Sequence, residues 1–385
     1  MDGTVAPGFE AVRAAFLANF ETGYEVGASV AVYVDGVKKV DIWHGDARPA
    51  TAWQSDTLVP CFSVAKAILA TAVAILAERG RISMGDAVSR YWPEFAAGGK
   101  QSVTIEQLIT HTAGLAWFEG YEDVVSFDDP ASFKDTAAIV ARLAAAEPLW
   151  EPGSQFGSHS ITIGWLLGTL IERVSGCSVG EFIAREIAAS LGGQIWVGLP
   201  PVQHRRAADL IPDPFQDSDE LAAQINHTTP PGRALLLGPK LRLGTAISAA
   251  TNDAGYRSVA VPAANTFTDA RTLAHLYSVL SSRRSDARPL RRETVRAHTD
   301  IVLEGRDAIF GVTQRYGMGF LRPTKDVPLG PSDDAFGYPG QGGQLALGDL
   351  GHGLGFAYLP NRAVMARGAD PRADALLRAT YSCLE

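Results

Sequence analysis

Apolar and polar residues alternate through the stretch GASVAVYVDGVKKVDIWHG, residues 27–45, on either side of Asp35-Gly36. Asp-Gly tolerates the positive φ angles of a tight turn, so the stretch predicts a β-hairpin. Before it, residues 8–20 carry the spacing of an amphipathic helix. After it, FSVAKAILATAVAILAERG (62–80) reads as an apolar helix stopped by Gly80 as its cap. Helical patterning then dominates to about Leu191. Thr104 with Gln107 fits a capping box, as does Ser178 with Glu181 at the head of a helix running to Ala189. Further helices are predicted over 132–146 and 160–174. Residues 194–268 are rich in proline and glycine and predict a long irregular loop. A helix follows over 269–281, then strand-like segments at 316–321, 342–350 and 353–360, and a final helix at 371–381.

Strands near both chain ends with helices between them predict an α/β chain of the α+β type. One antiparallel sheet, flanked by helices, would be assembled from the two ends with a mainly helical lobe inserted. The corresponding boundaries are 1–85 for the first part of the α/β domain, 86–265 for the lobe and 266–385 for the second part.

The 385 residues are 46% apolar and 20% charged, ordinary values for a chain with a sizeable core. A net charge of −8 argues against nucleic-acid binding. The densest basic cluster (Arg283, Arg284, Arg288, Arg291 and Arg292) reads as a solvated helical surface. Cys61, Cys177 and Cys383 have neither metal-ligand nor disulfide-framework spacing, so no metal is expected, and their sparse, odd number fits a reducing cytoplasm. The N-terminus lacks a basic segment followed by an apolar run, and the apolar stretch at 65–77 is too short to span a bilayer. The expectation is therefore a soluble cytoplasmic protein without membrane association. The glycines of 337–355 do not form G-x-G-x-x-G ahead of a helix, and no cofactor is called for.

Two serines stand out. Gly176-Cys-Ser178-Val-Gly180 matches a nucleophile elbow on paper, but that turn requires a preceding strand and here a helix precedes it. Ser63-Val-Ala-Lys66 opens a helix, which puts the lysine one turn on and on the same face as the serine. A serine hydroxyl needs a base to become a nucleophile, and a lysine among Phe62, Ala65, Ile68 and Leu69 is desolvated toward a usable pKa. Alternatively, Ser63 caps the helix and Lys66 reaches solvent. Trp117, Phe118, Tyr121, Trp150 and Tyr256 are candidates for an acyl pocket or for core. His111 reads as structural.

The motifs around Ser63 resemble those of the β-lactamase and DD-peptidase-like serine hydrolases, in particular the family VIII carboxylesterases. The resemblance rests on SVAK at 63–66, QLITHTAGL at 107–115, WEPGSQFGSHS at 150–160, YGMGF at 316–320 and YPGQGGQLAL at 338–347. It covers nearly the whole chain and implies a β-lactamase/transpeptidase-like fold. It further implies Ser63 as the acyl-forming nucleophile and Lys66 as its proton acceptor. Gln341-Gly342-Gly343 takes the place of the third motif, its glycines letting that strand run flat beside the substrate, and the amides of Ser63 and Gln344 form the oxyanion hole. The chain departs from the pattern at Ser158, where the esterases carry a catalytic tyrosine.

Three readings of that departure stay open. Ser158-His-Ser160 acts as a Ser-x-Asn-type relay, the site is altered toward weak hydrolysis or acyl transfer, or the chain is catalytically silent. His159 is a further candidate base. The neutral Gln341 disfavours a substrate carboxylate. The implied activity is cleavage or transfer of small carboxylic esters through an acyl-enzyme. The alternatives are β-lactam or D-aminopeptidase-like amide hydrolysis, and a non-catalytic penicillin-binding-like protein. Oligomeric state is left open.

Overall fold

Three strands come from the N-terminal end: β1 (Asp2–Val5), β2 (Gly27–Val34) and β3 (Val37–Arg48). The predicted hairpin joins β2 to β3, and its two turn residues, Asp35 and Gly36, sit at φ 46° and 78°. Asp35 is held there by Arg283, whose Nη2 lies 2.7 Å from its carboxylate. Six strands come from the C-terminal part: β4 (Leu303–Arg306), β5 (Thr313–Tyr316), β6 (Leu321–Arg322), β7 (Ala335–Pro339), β8 (Leu345–Asp349) and β9 (Leu354–Pro360). They assemble in the order β1-β3-β2-β9-β8-β7-β6-β5-β4, with residues 51–52 added beside β3. All the pairings are antiparallel, and the β2–β9 seam, Val34 opposite Leu354 through Ala28 opposite Pro360, joins the two chain ends as expected. The computed structural model describes residues 1–284, 289–364 and 370–384.

The principal helices are α1 (Glu10–Glu21), α2 (Ala65–Glu78), α3 (Thr162–Ser175), α4 (Ala270–Ser281) and α5 (Pro371–Ser382). Alternation along β8 shows how two of them cover the sheet. Gly348 abuts Ser281 of α4, while the carboxylate of its neighbour Asp349 accepts from Tyr381 of α5 at 2.7 Å. Adjacent strand residues point to opposite faces, so α4 and α5 lie on opposite sides. Helix α4 comes so near the sheet that a side chain at Gly355 would strike the backbone of Ala274 and Ser278. Every residue of α2 from Ala65 to Leu76 is buried. An all-round apolar helix of this kind belongs in the interior, and α2 packs there against α3.

Several expectations need correction. Residues 194–268 are not one irregular loop. They contain strands at Ile195–Val197 and Thr266–Thr268 and helices that include Pro230–Ala234 and Leu243–Asn252. Pro230 and Pro231 open a helix behind Thr229, since proline breaks a helix in its middle but suits its first turn. The segment 316–321 is the bend between β5 and β6, with Gly319 at φ 85°. The segment predicted over 342–350 begins as a strand only at Leu345, so Gly342 and Gly343 (φ 124° and 91°) form the β7–β8 turn instead of a flat strand. Strand β1 has no apolar alternation to announce it. Of the basic cluster, Arg288 lies outside the described residues; Arg283 and Arg284 pair with Asp35, and Arg291 with Glu78. Among the described residues, no helix is long and apolar enough to cross a membrane.

The contact of α4 with Gly355 gives a stability test. Gly355→Val is expected to lower the free energy of unfolding by about 2–3 kcal/mol through overpacking, read as a fall in the urea midpoint. An unchanged midpoint would contradict the packing described.

Candidate active site

Ser63 sits where a short strand, Val59–Pro60, turns into α2 through a 3-10 turn at Phe62–Val64. That strand pairs with Thr266–Thr268, which also pairs with Ile195–Val197, so the turn is anchored in a small sheet of its own. Phe62 adopts φ 46°, a conformation that costs free energy in any residue with a Cβ. The bend leaves the Ser63 side chain half-buried at the mouth of a cavity.

Lys66 points back down its helix, and its Nζ donates to Ser63 Oγ at 2.6 Å. The lysine is only 7% exposed, which rules out the solvent-reaching alternative, and Ser63 makes no capping bond. Among the described residues no carboxylate lies within ion-pair distance of the amine. Burial pushes its pKa down to about 7, opposed by the Cys61 thiol. A neutral amine is thus available near neutral pH to accept the serine proton.

The inner cavity, about 170 Å³, is walled by Phe62, Phe127, Ile161, Leu235, Ile247 and Phe310. Lys66 is the one charged side chain among the described residues that line it, since burial holds His111 well below its usual pKa. Ser158, Ser160, Tyr316, Tyr338 and Gln341 complete it. Ser63 and Gln341 also line an outer cavity of about 640 Å³ across the β7–β8 turn. Ser63 therefore stands between a small apolar chamber and a larger, more polar one. None of Trp117, Phe118, Tyr121, Trp150 and Tyr256 lines the inner chamber, and all but Trp150 are buried in the core.

The other predicted site residues fall as follows. Ser158 lines the chamber, but its Oγ donates to Asp307 Oδ2 at 2.5 Å and its amide donates to the same oxygen at 3.0 Å. Its proton is therefore committed to a carboxylate. His159 is fully buried, and its Nε2 accepts from the Leu115 amide at 2.7 Å, which places the ring proton on Nδ1, facing the Gly157 carbonyl at 2.8 Å. Burial drops its pKa to about 3, and it does not reach the chamber, so it is no base for Ser63. His111, at φ 62°, accepts the His159 amide on Nδ1 and also touches the chamber. Gly342 backs onto Ala363, and Gly343 onto Asp370 and Arg372. Gln344 is 1% exposed with its amide nitrogen directed at the Pro360 carbonyl, and it lines only the outer cavity.

Sequence reasoning missed Asp307, Tyr316 and Tyr338. Asp307 has a local signature, because an Asp that accepts the amides two and three residues on (Ile309, 2.7 Å; Phe310, 2.9 Å) makes a turn of the kind Asp favours. Nothing in the sequence places that turn against Ser158. Tyr338 lies near the end of the strand that passes Ser63, and no pattern in the sequence points it at the chamber.

The beta-lactamase family model matches residues 15–380, most of the chain. The chain belongs to the beta-lactamase family. Among its relatives is the "Esterase/beta-lactamase LipL" of Mycobacterium tuberculosis, 30% identical over 375 residues, which cover 94% of this chain and 82% of that protein. A penicillin-binding protein homolog from Caulobacter crescentus superposes with a TM-score of 0.85 at 34% identity, over 100% of both chains. A family VIII carboxylesterase superposes at 0.86 with 33% identity, over 99% of each. This beta-lactamase-family chain is thus a serine hydrolase of that fold with esterases among its relatives.

The buried amine gives a second test. Lys66→Met removes a group that is protonated in the unfolded chain but resists protonation when folded, a destabilising mismatch. The variant is expected to melt roughly 5 °C higher at pH 6–7. The advantage should be full below pH 7 and shrink as the pH rises toward 10.5, where the unfolded lysine also loses its proton. A variant that melts lower throughout would contradict the burial of an unpaired amine.

Proposed function

We propose that this chain cleaves neutral carboxylic esters through an acyl-enzyme on Ser63 and passes the acyl group to water or to another alcohol. The observation that carries the reading is the buried amine of Lys66, free of any carboxylate and 2.6 Å from Ser63 Oγ. It takes the serine proton as the hydroxyl attacks the ester carbonyl. The amide of Ser63, at the head of α2, supplies one donor to the oxyanion. The second comes from Gln341, which faces Ser63 from both cavities, in preference to Gln344, which meets only the outer one. Gly342 and Gly343 shape the turn that presents Gln341, and Ser160 adds a polar contact to the chamber wall. The inner chamber takes a short acyl chain, and the outer cavity takes the alcohol.

Charge favours esters over anionic substrates. No cation follows β7 where a substrate carboxylate would sit; Tyr338 and Gln341 are there instead. Of the acids lining the outer cavity, Asp370 and Asp374 are paired with Arg372 and Arg378, and the one lysine there, Lys325, stands next to Asp326, so no unpaired cation awaits a carboxylate. Beta-lactams carry a carboxylate and meet this surface poorly.

Ser63→Ala is expected to abolish hydrolysis of p-nitrophenyl butyrate and to remove the acyl adduct seen by intact mass after brief exposure to the ester. Turnover unchanged by the substitution would refute the assignment, and nitrocefin turnover matching ester cleavage would transfer it to beta-lactams. With Lys66 as the base, kcat/KM should rise with pH through about 7 and level off above it, since the neutral amine is the active form. A profile flat from pH 5 to 9 would contradict that role.

A further inference from the structure

The ester reading leaves the alcohol with no proton donor besides the lysinium formed at Lys66, which sits against the serine oxygen. The family's tyrosine position is Ser158, whose hydrogen is held by Asp307, and both nearby histidines are locked in the lobe's hydrogen bonds. Beside Lys66, however, the chamber holds a buried phenol. Tyr338 is 3% exposed, at the end of β7, and lines the chamber with Ser63 and Lys66. Lys66 Nζ stands 6.0 Å from the centre of its ring. Its Oη is buried, and the Tyr316 hydroxyl is the one hydrogen-bonding group set against it among the described residues. A second chamber phenol, Tyr316, lies beside it, its ring packed against His111 at 5.3 Å and Phe156 at 6.0 Å.

Resting on that reading, we infer that Tyr338 is the catalytic acid of this chain, donating its phenolic proton to the departing alcohol in place of the tyrosine absent at 158, with Tyr316 as its positioning residue. The proton balance closes. Lys66 takes the proton of Ser63 as the serine oxygen bonds to the ester carbon. When the tetrahedral intermediate collapses, the carbonyl re-forms, the bond to the alkoxy oxygen breaks, and that oxygen takes the proton of Tyr338. Lysinium 66 then returns its proton to the phenolate, restoring both groups. With water in the alcohol's place the same transfers run in reverse and release the acid. Burial raises the pKa of both phenols, so Tyr338 stays protonated at neutral pH, and the Tyr316 hydroxyl stabilises the transient phenolate.

The test separates leaving groups. Nitrophenolate departs without a proton, whereas an alkoxide does not. Tyr338→Phe is therefore expected to lower kcat/KM for ethyl butyrate roughly 10²–10³-fold, and for p-nitrophenyl butyrate at most about tenfold. Equal losses on the two esters, or none, would overturn the inference while an intact Ser63 acyl adduct by mass spectrometry left the ester reading standing. Absence of that adduct in the unaltered protein would overturn both. If Tyr338→Phe does not fold, Tyr316→Phe carries the test. It should show the same bias against the alkyl ester, about tenfold, and an unbiased loss would count against the pairing.

Discussion

The lysine amine buried beside Ser63 is the constraint around which the rest of the site is organised. A cation without a carboxylate is unstable in an apolar interior, and the protein answers by shifting the ionisation instead of supplying a counter-ion. That requires a helix apolar on all sides, and α2 is one. It also requires the serine to approach at the first turn, where the strained Phe62 and the strand Val59–Pro60 fix the chain's entry. An acidic partner would have made the pair more stable and kept the amine protonated, and so useless as a base. The destabilisation at Lys66 is therefore inseparable from the base role proposed for it.

The sheet fixes the opposite wall by a different device. Arg372 of α5 bonds Asp370 at 2.7 Å and Glu25 at 3.0 Å, and Glu25 in turn accepts from Tyr358 of β9. The same guanidinium donates to the Arg362 carbonyl at 3.1 Å and approaches that of Gly342. Gly343 lies directly on this cluster, with no room for a side chain. Burying several charges yields little net stability, but the cluster specifies one arrangement strongly, because leaving any member unpaired is costly. Here it links the entrance to β2, strand β9, the last helix and the β7–β8 turn. The turn that faces Ser63 is thus set by the closure of the two chain ends.

Much of this was legible in the residues. The hairpin at Asp35-Gly36, the capping boxes at Thr104 and Ser178 and the apolar helix after Ser63 are local signals, and each appears where it was read. The Ser63–Lys66 pairing was legible because helix geometry converts a three-residue spacing into proximity. What failed was non-local or conditional. Proline was read as a breaker in 194–268, where its position at a first turn made it a starter. The glycines at 342–343 were read as strand because alternation continues beyond them, although positive φ makes them a turn. Asp307 is 149 residues from Ser158, and no pattern in either segment reports the other.

That last contact explains why position 158 need not carry a phenol. The turn after β4 is fastened to the lobe twice, by Ser158 on Asp307 and by the Ala308 amide on the Phe156 carbonyl at 3.0 Å. It brings Phe310 to the boundary of both cavities. A short side chain at 158 lets this turn close down, whereas a tyrosine ring would have to occupy the chamber that Tyr316 and Tyr338 line. The two phenols that line this chamber stand on the sheet, Tyr316 on β5 and Tyr338 on β7. In the proposed reaction a donor on β7 would move with the strand that presents Gln341, so one rigid element would place both the oxyanion contact and the proton source. Position 158 is left to hold the lobe and sheet in register.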